Sequence, residues 1–168
     1  MQTTYSIKSM IDAVSNNAKK RTIYNKGAVG GIKSSYLKLF FLSLPFIEYA
    51  LIFNPVSFNY LGIAQAIIFF IIFSSVVMFI IFLVVMGNNK SVFKRIEPSW
   101  KSYFPDVDLK MVLSSGVSPY QNFFSEYEKV MNQNLDDASL HTTLKGAFGR
   151  MKEENRDLLE AIEKAKNN

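Results

Sequence analysis

An uninterrupted apolar run from Tyr60 to Met86 constrains this chain more than any other feature of its sequence. The run has no charged residue and exceeds the ~20 residues that a membrane-spanning helix needs. Buried helices of soluble domains rarely continue so far without a charge. A shorter apolar run, residues 36–53, lies just upstream and is connected to it by the uncharged segment NPVSFN. The two runs predict a transmembrane hairpin over residues 36–87, with helices at 36–53 and 60–86.

Basic residues flank this hairpin on both sides and are missing from its loop. Those before it are Lys19, Lys20, Arg21, Lys26 and Lys33, and those after it are Lys90, Lys94, Arg95 and Lys101. Lysine and arginine near the ends of spans favour the cytosolic side of a membrane. We therefore expect an integral membrane protein, in a bacterial inner membrane, with both termini cytoplasmic and the loop outside.

The segment before the hairpin, residues 1–35, combines basic residues with apolar residues at helical spacing. Ile7, Met10, Ile11 and Val14 form one face of the predicted helix, and the glycines of NKGAVGGIKSS follow. The pattern predicts a basic amphipathic N-terminal arm and a glycine hinge. Such a helix either lies on the membrane surface or packs against a partner.

The segment after the hairpin, residues 88–117, mixes aromatic and basic side chains. Residues of this kind just cytosolic of a span usually lie at the level of the lipid headgroups. The predicted membrane-interface anchors are Lys94, Arg95, Trp100, Lys101 and Tyr103. Because the nearby membrane accounts for this mixture, we expect no nucleic-acid binding. Pro98 and Pro105 are expected to break any long helix here.

The remaining residues, 118–168, predict a small helical cytosolic tail with a coiled-coil-like end. Apolar residues and one asparagine recur there at alternating spacings of four and three. This seam consists of Leu144, Phe148, Met151, Asn155, Leu158 and Ile162. Two interpretations remain open: the seam associates with a partner or with a second copy, or it packs on the aromatic helix that precedes it.

Glu48 is the strongest candidate for a functional residue inside the hairpin. An acid within a span is costly and usually has a polar partner. With the middle of the loop between Val56 and Ser57, Gln65 lies at the same depth on the second helix. We expect an intramembrane polar contact between Glu48 and Gln65, in which the neutral acid donates a hydrogen bond. Gly62 and Ala66, a small-xxx-small pair, would let the two helices approach closely.

Catalytic chemistry has no recognisable signature in this sequence. There is no cysteine and one histidine, His141, and no nucleotide-binding, zinc-protease or nucleophile-elbow motif occurs. We therefore expect no enzyme, no cofactor and no metal site.

The sequence as a whole predicts an all-α membrane protein that acts as a small non-catalytic subunit or scaffold. Its expected setting is a larger membrane complex, such as a bacterial secretion or transport machine. Its partners would be membrane lipid, other subunits and a cytosolic protein bound by the tail, with a homo-oligomer as a further option. The alternatives are a secreted bacterial effector inserted in a host vacuole membrane and an ion-conducting oligomer that uses Glu48.

Overall fold

The computed structural model describes residues 4–114 and 118–167, and this part of the chain is mostly helical. Its α-helices are α1 (Ile7–Val14), α2 (Ser35–Glu48), α3 (Pro55–Tyr103), α4 (Leu109–Leu113), α5 (Phe123–Met131), α6 (Asp137–Glu154) and α7 (Arg156–Asn167). The strands β1 (Ser15–Asn16) and β2 (Lys19–Lys20) form a short antiparallel ladder after α1. A 3₁₀ turn, Lys26–Val29, precedes α2, and a π-helical turn, Tyr49–Phe53, follows it.

The segment Ser35–Phe53 and helix α3 are each long and apolar enough to cross a membrane. The mean hydropathy of their most apolar windows is 1.6 and 3.2. Only 6% of each window is buried, so these two apolar stretches are largely uncovered by the rest of the described chain. The predicted all-α class with two long apolar helices is confirmed at this level of description.

Helix α3 begins earlier than the sequence predicted. Its start at Pro55 is capped by Asn54, whose Oδ1 accepts hydrogen bonds from the backbone N–H groups of Val56 and Ser57. Pro55 occupies the first helical position, where its missing N–H costs nothing. The helix then kinks at Gly62, which has φ 73° and ψ 168°. Residues with a side chain rarely adopt this conformation, so the glycine is what permits the kink.

Helix α3 also ends much later than predicted, at Tyr103 instead of near residue 86, and Pro98 does not break it. Within the extension, Val92, Ile96, Ser99 and Trp100 are buried and follow one helical face. Burial of this face offsets the backbone hydrogen bond that Pro98 removes. The expectation of a broken juxtamembrane segment was therefore wrong. Pro105 lies just after the helix, where the chain turns away.

One hydrophobic core joins the two ends of the chain. It contains residues from α1, the C-terminal part of α3, and helices α4, α5 and α6. We call the unit formed by these elements and the β1–β2 ladder the helical domain. The N-terminal arm, the juxtamembrane segment and the start of the tail thus share a core, and the expected boundary at residue 117 lies outside the described residues.

Helix α1 shows how local sequence positions this core. Ser6 caps its N-terminus by accepting a hydrogen bond from the N–H of Ser9. Ile7, Met10, Ile11 and Val14 are all at most 2% exposed. The face that suggested a membrane surface or a partner therefore packs within the chain itself, because α3 and α6 supply the apolar surface that covers it.

Candidate functional site

Glu48 ends helix α2 and forms a polar contact with helix α3. Its Oε1 accepts a hydrogen bond from the Ser74 hydroxyl at 2.9 Å. Both side chains are partly buried between the two apolar helices. The contact joins residues 26 positions apart, so it ties the two helices directly to each other. A hydrogen bond of this kind supplies the partner that an acid needs in an apolar environment.

The backbone around Glu48 departs from regular α-helix on both sides. Pro45 lies inside α2 and has no N–H to donate to the preceding turn. The π-helical turn Tyr49–Phe53 begins directly after Glu48. Such turns inside helices are frequent at functional sites because they reorient side chains. Ile52 of this turn is 2% exposed, and the turn packs against α3.

The expected contact between Glu48 and Gln65 is not formed in the structure, which pairs Glu48 with Ser74 instead. The reason is the position of the turn between the two helices. Along the sequence, the midpoint between Glu48 and Ser74 is Leu61, next to the kink. The rings of Phe53 and Phe70 are also in contact, with centroids 5.7 Å apart, and these two residues have nearly the same midpoint in the sequence. Equal depth of Glu48 and Gln65 would require a turn at Val56 and Ser57.

The other residues predicted in the hairpin have different positions. Gln65 is exposed just after the kink, and its Oε1 would lie 3.4 Å from a Cβ on Gly62. Gly62 forms the kink of α3. Ala66 is fully buried, in contrast to most of the residues around it, so the chain does pack closely at this point.

A polar clamp, formed by Asn88 and Asn89, lies where α3 leaves its apolar stretch. The Asn89 side chain donates to the Thr22 carbonyl and accepts from the Tyr24 N–H, both at 2.8 Å. Asn88 donates to the Tyr24 carbonyl at 2.9 Å. These bonds attach the segment before α2 to α3. The sequence showed two consecutive asparagines after an apolar run, but nothing in it identified their partner 65 residues away.

The predicted interface anchors divide into exposed and buried residues. Lys94 and Lys101 are exposed, and Lys101 pairs with Glu97 at 2.8 Å. Arg95 donates to the Gly30 carbonyl at 2.5 Å, which also attaches the N-terminal segment to α3. The Tyr103 hydroxyl donates to Asp137 at 3.2 Å.

Trp100 lies in the centre of the helical domain and has no exposed surface with which to contact lipid. Its Nε1–H donates to the Val107 carbonyl at 2.8 Å. Its ring packs edge-to-face on Phe123 and Phe148, with centroids 6.2 and 6.0 Å apart. An aromatic residue on the inner face of a helix extension serves the core and not the headgroup region.

The structure divides the predicted seam at Asn155. Leu144, Phe148 and Met151 are at most 5% exposed and belong to the intramolecular core. Asn155 ends α6, and its side chain donates to the Met151 carbonyl at 2.9 Å. Leu158 and Ile162 follow on α7 and are partly exposed. The first half of the seam therefore packs on its own chain, and the second half keeps an apolar face.

Several titratable side chains outside the two apolar stretches are buried or hydrogen-bonded within the chain. The His141 Nε2–H donates to the Tyr103 carbonyl at 2.8 Å, at the C-terminal end of α3. Burial raises the pKa of Tyr127, and the Asp12 carboxylate that accepts its hydroxyl adds to this effect. Burial likewise raises the pKa of Tyr24 and of Tyr120. Across residues 4–114 and 118–167, no group of three or more acidic or histidine side chains is arranged to hold a metal ion.

The fold and the site together define a mostly helical protein with two long apolar helices and a separately packed helical domain. Comparison of the chain with protein-family models, with curated proteins and with solved structures finds no match.

Proposed function

We propose that this protein is a non-catalytic scaffold subunit of a larger membrane complex. In this proposal, α2 and α3 form a transmembrane hairpin, and the helical domain projects into the cytoplasm. The observation that carries the proposal is the contrast between a densely packed helical domain and two long apolar stretches, of which only 6% each is buried.

The exposed apolar side chains support a membrane location. Leu42, Phe46 and Phe79 are 70%, 74% and 62% exposed, and they represent many similar residues along both helices. Soluble monomers rarely expose contiguous apolar patches of more than a few hundred Å². A hydrocarbon environment removes the free-energy cost of exposing these side chains to water. It also suits helices, because their backbone hydrogen bonds are made internally.

The shared core supports a hairpin with both ends on one side. Helix α1 precedes the two spans and α6 follows them, yet both pack in the helical domain. Because they share a core, α1 and α6 must lie on the same side of the membrane. Two crossings return the chain to the side from which it started. Basic residues on both flanks favour the cytoplasm as that side, in keeping with a bacterial inner membrane.

The contact between Glu48 and Ser74 supports a structural role for the acid. An ion path would require further acidic or basic side chains along the spans, and Lys38 is the only one besides Glu48 in residues 35–53 and 55–86. Glu48 instead holds the two helices together at the level of the π-helical turn. Polar contacts between membrane helices contribute about 0.6–2 kcal/mol each.

Helix α7 is the partner-binding element in this proposal. Leu158, Leu159 and Ile162 lie on one face of this helix because of their spacing, and all three are partly exposed. α6 is the main neighbour of α7 in the chain. An amphipathic helix with an incompletely covered apolar face is a common means of binding a groove on another protein.

Co-purification from the native membrane tests the proposal. The full-length protein should resist extraction with alkaline carbonate and should co-purify in detergent with partners in fixed stoichiometry. Leu158→Asp should release a cytosolic partner and leave the protein in the membrane. Lys164→Gln, which makes the net charge more negative by the same amount on the opposite face of α7, is the matched control. Loss of the protein into the carbonate supernatant, or a partner set unaffected by Leu158→Asp, would contradict the scaffold role.

A further inference from the structure

A cavity of about 410 Å³ lies where α2 begins and where α3 leaves its apolar stretch. Its walls are largely apolar and include Ile23, Ile32, Leu37, Phe40 and Val84. The volume falls within the roughly 300–1,000 Å³ of typical ligand sites. The cavity is bounded by three separate segments: residues 23–34, the first turns of α2, and residues 84–88 of α3.

Two lysines line this cavity together with the apolar side chains. They are Lys26 and Lys33, and the remaining lining residues include no carboxylate. In the part of the chain that the structure describes, neither lysine forms an ion pair. Their charges are therefore available to an anion from outside the chain.

The loop between the two lysines positions their side chains. A Cβ on Gly27 would come within 2.8 Å of the Lys33 Cγ, and one on Gly31 within 3.3 Å of the Lys26 Cγ. The stem of Lys33 thus lies against Gly27, which follows Lys26, and the stem of Lys26 lies against Gly31, two residues before Lys33. Larger residues at positions 27 and 31 would displace both stems, so the loop brings two positive charges to one cavity.

We propose that this cavity binds an anionic phospholipid of the cytosolic leaflet. Lys26 and Lys33 bind the headgroup phosphate, and an acyl chain lies against Leu37, Phe40 and Val84. The inference rests on the transmembrane hairpin of the proposed function, because only that placement brings the cavity to headgroup level. There, anionic lipids and basic side chains attract one another.

Tryptophan fluorescence in lipid vesicles tests the inference. Tyr36 lines the cavity and is 66% exposed, so Tyr36→Trp reports on the lipid at this site. Phe79→Trp reports on bulk lipid further along α3, where the side chain is 62% exposed. The only native tryptophan, Trp100, is fully buried and contributes a constant background fluorescence. This background is measured with the wild-type protein.

The full-length variants are reconstituted in zwitterionic vesicles that contain a fixed fraction of anionic phospholipid. Either the phosphatidylglycerol or the phosphatidylcholine carries bromine atoms near the top of its acyl chains. We expect brominated phosphatidylglycerol to quench Tyr36→Trp with a local preference of roughly fivefold or more, since each lysine near the surface contributes about a factor of five. Phe79→Trp should show no preference.

Neutralisation of both lysines, with Lys26→Gln and Lys33→Gln, should abolish the preference at Tyr36→Trp. The control pair Lys19→Gln and Lys20→Gln removes equal charge outside the cavity and should preserve it. Increasing salt should reduce the preference in the variant that retains both lysines. Equal quenching by the two brominated lipids at Tyr36→Trp would overturn the lipid site. Absence of quenching at Phe79→Trp would overturn the transmembrane hairpin as well.

Discussion

Substitution of Trp100 separates the core position found in the structure from the interface position that the sequence suggested. Trp100 is fully buried against Phe123 and Phe148. Replacement of a buried aromatic residue by alanine costs about 3–5 kcal/mol of folding free energy. Trp100→Phe keeps a ring but leaves the Val107 carbonyl without its 2.8 Å donor, at a cost of about 1–3 kcal/mol.

Thermal unfolding of the helical domain, followed by circular dichroism of the full-length protein in detergent, measures these losses. A domain of this size shifts its melting temperature by about 4 °C for each kcal/mol lost. Trp100→Ala should therefore lower the transition by about 12–20 °C and Trp100→Phe by a smaller amount. Tyr60→Ala, at a position 90% exposed and outside the helical domain, is the control and should leave the transition unchanged.

The fluorescence of the wild-type protein supplies an independent check, because Trp100 is its only tryptophan. A fully buried indole should resist both acrylamide and brominated lipids. Strong quenching by brominated lipid, together with an unchanged melting temperature in Trp100→Ala, would place the ring at the membrane interface and refute the core position.

Three further experiments test contacts in the hairpin, the clamp and the helical domain. A double-mutant cycle of Glu48→Leu and Ser74→Ala should give a coupling energy of about 0.6–2 kcal/mol for hairpin assembly in detergent; additive effects would exclude their hydrogen bond. Asn89→Ala should cost about 1–3 kcal/mol and speed hydrogen exchange at the Tyr24 amide, and an unchanged exchange rate would contradict the clamp. Because the folded-state pKa of Tyr127 is raised, stability should fall as pH rises above about 10, where the unfolded chain ionises first. Tyr127→Phe should therefore raise the midpoint of alkaline unfolding, and an unchanged midpoint would exclude this residue as a cause.

The sequence predicted those elements that depend on local composition. The uncharged run from Tyr60 to Met86 was sufficient to identify a long apolar helix, because its length alone excludes most other folds. The helix limits were a different matter. Asn54 followed by Pro55 is a recognisable helix start, and reading it as a loop shifted the predicted turn and therefore the predicted partner of Glu48.

The remaining differences arise from contacts between distant segments. Apolar spacing along α1 and α6 showed which residues face inward, but it did not show that the two helices share one core. Pro98 ends helices by local rules, and only the burial of Trp100 and its neighbours keeps α3 intact across it. The partners of Asn89 lie 65 or more residues away, beyond the reach of any local pattern.

Cysteine labelling in sealed membrane vesicles tests the transmembrane hairpin most directly, and the native chain contains no cysteine to interfere. Single substitutions Asn16→Cys, Asn59→Cys and Ser102→Cys place thiols at exposed positions before, within and after the hairpin. A membrane-impermeant maleimide should label Asn59→Cys from one side of the membrane and both Asn16→Cys and Ser102→Cys from the other. Labelling of all three variants from the same side would show that the two apolar helices do not cross the membrane.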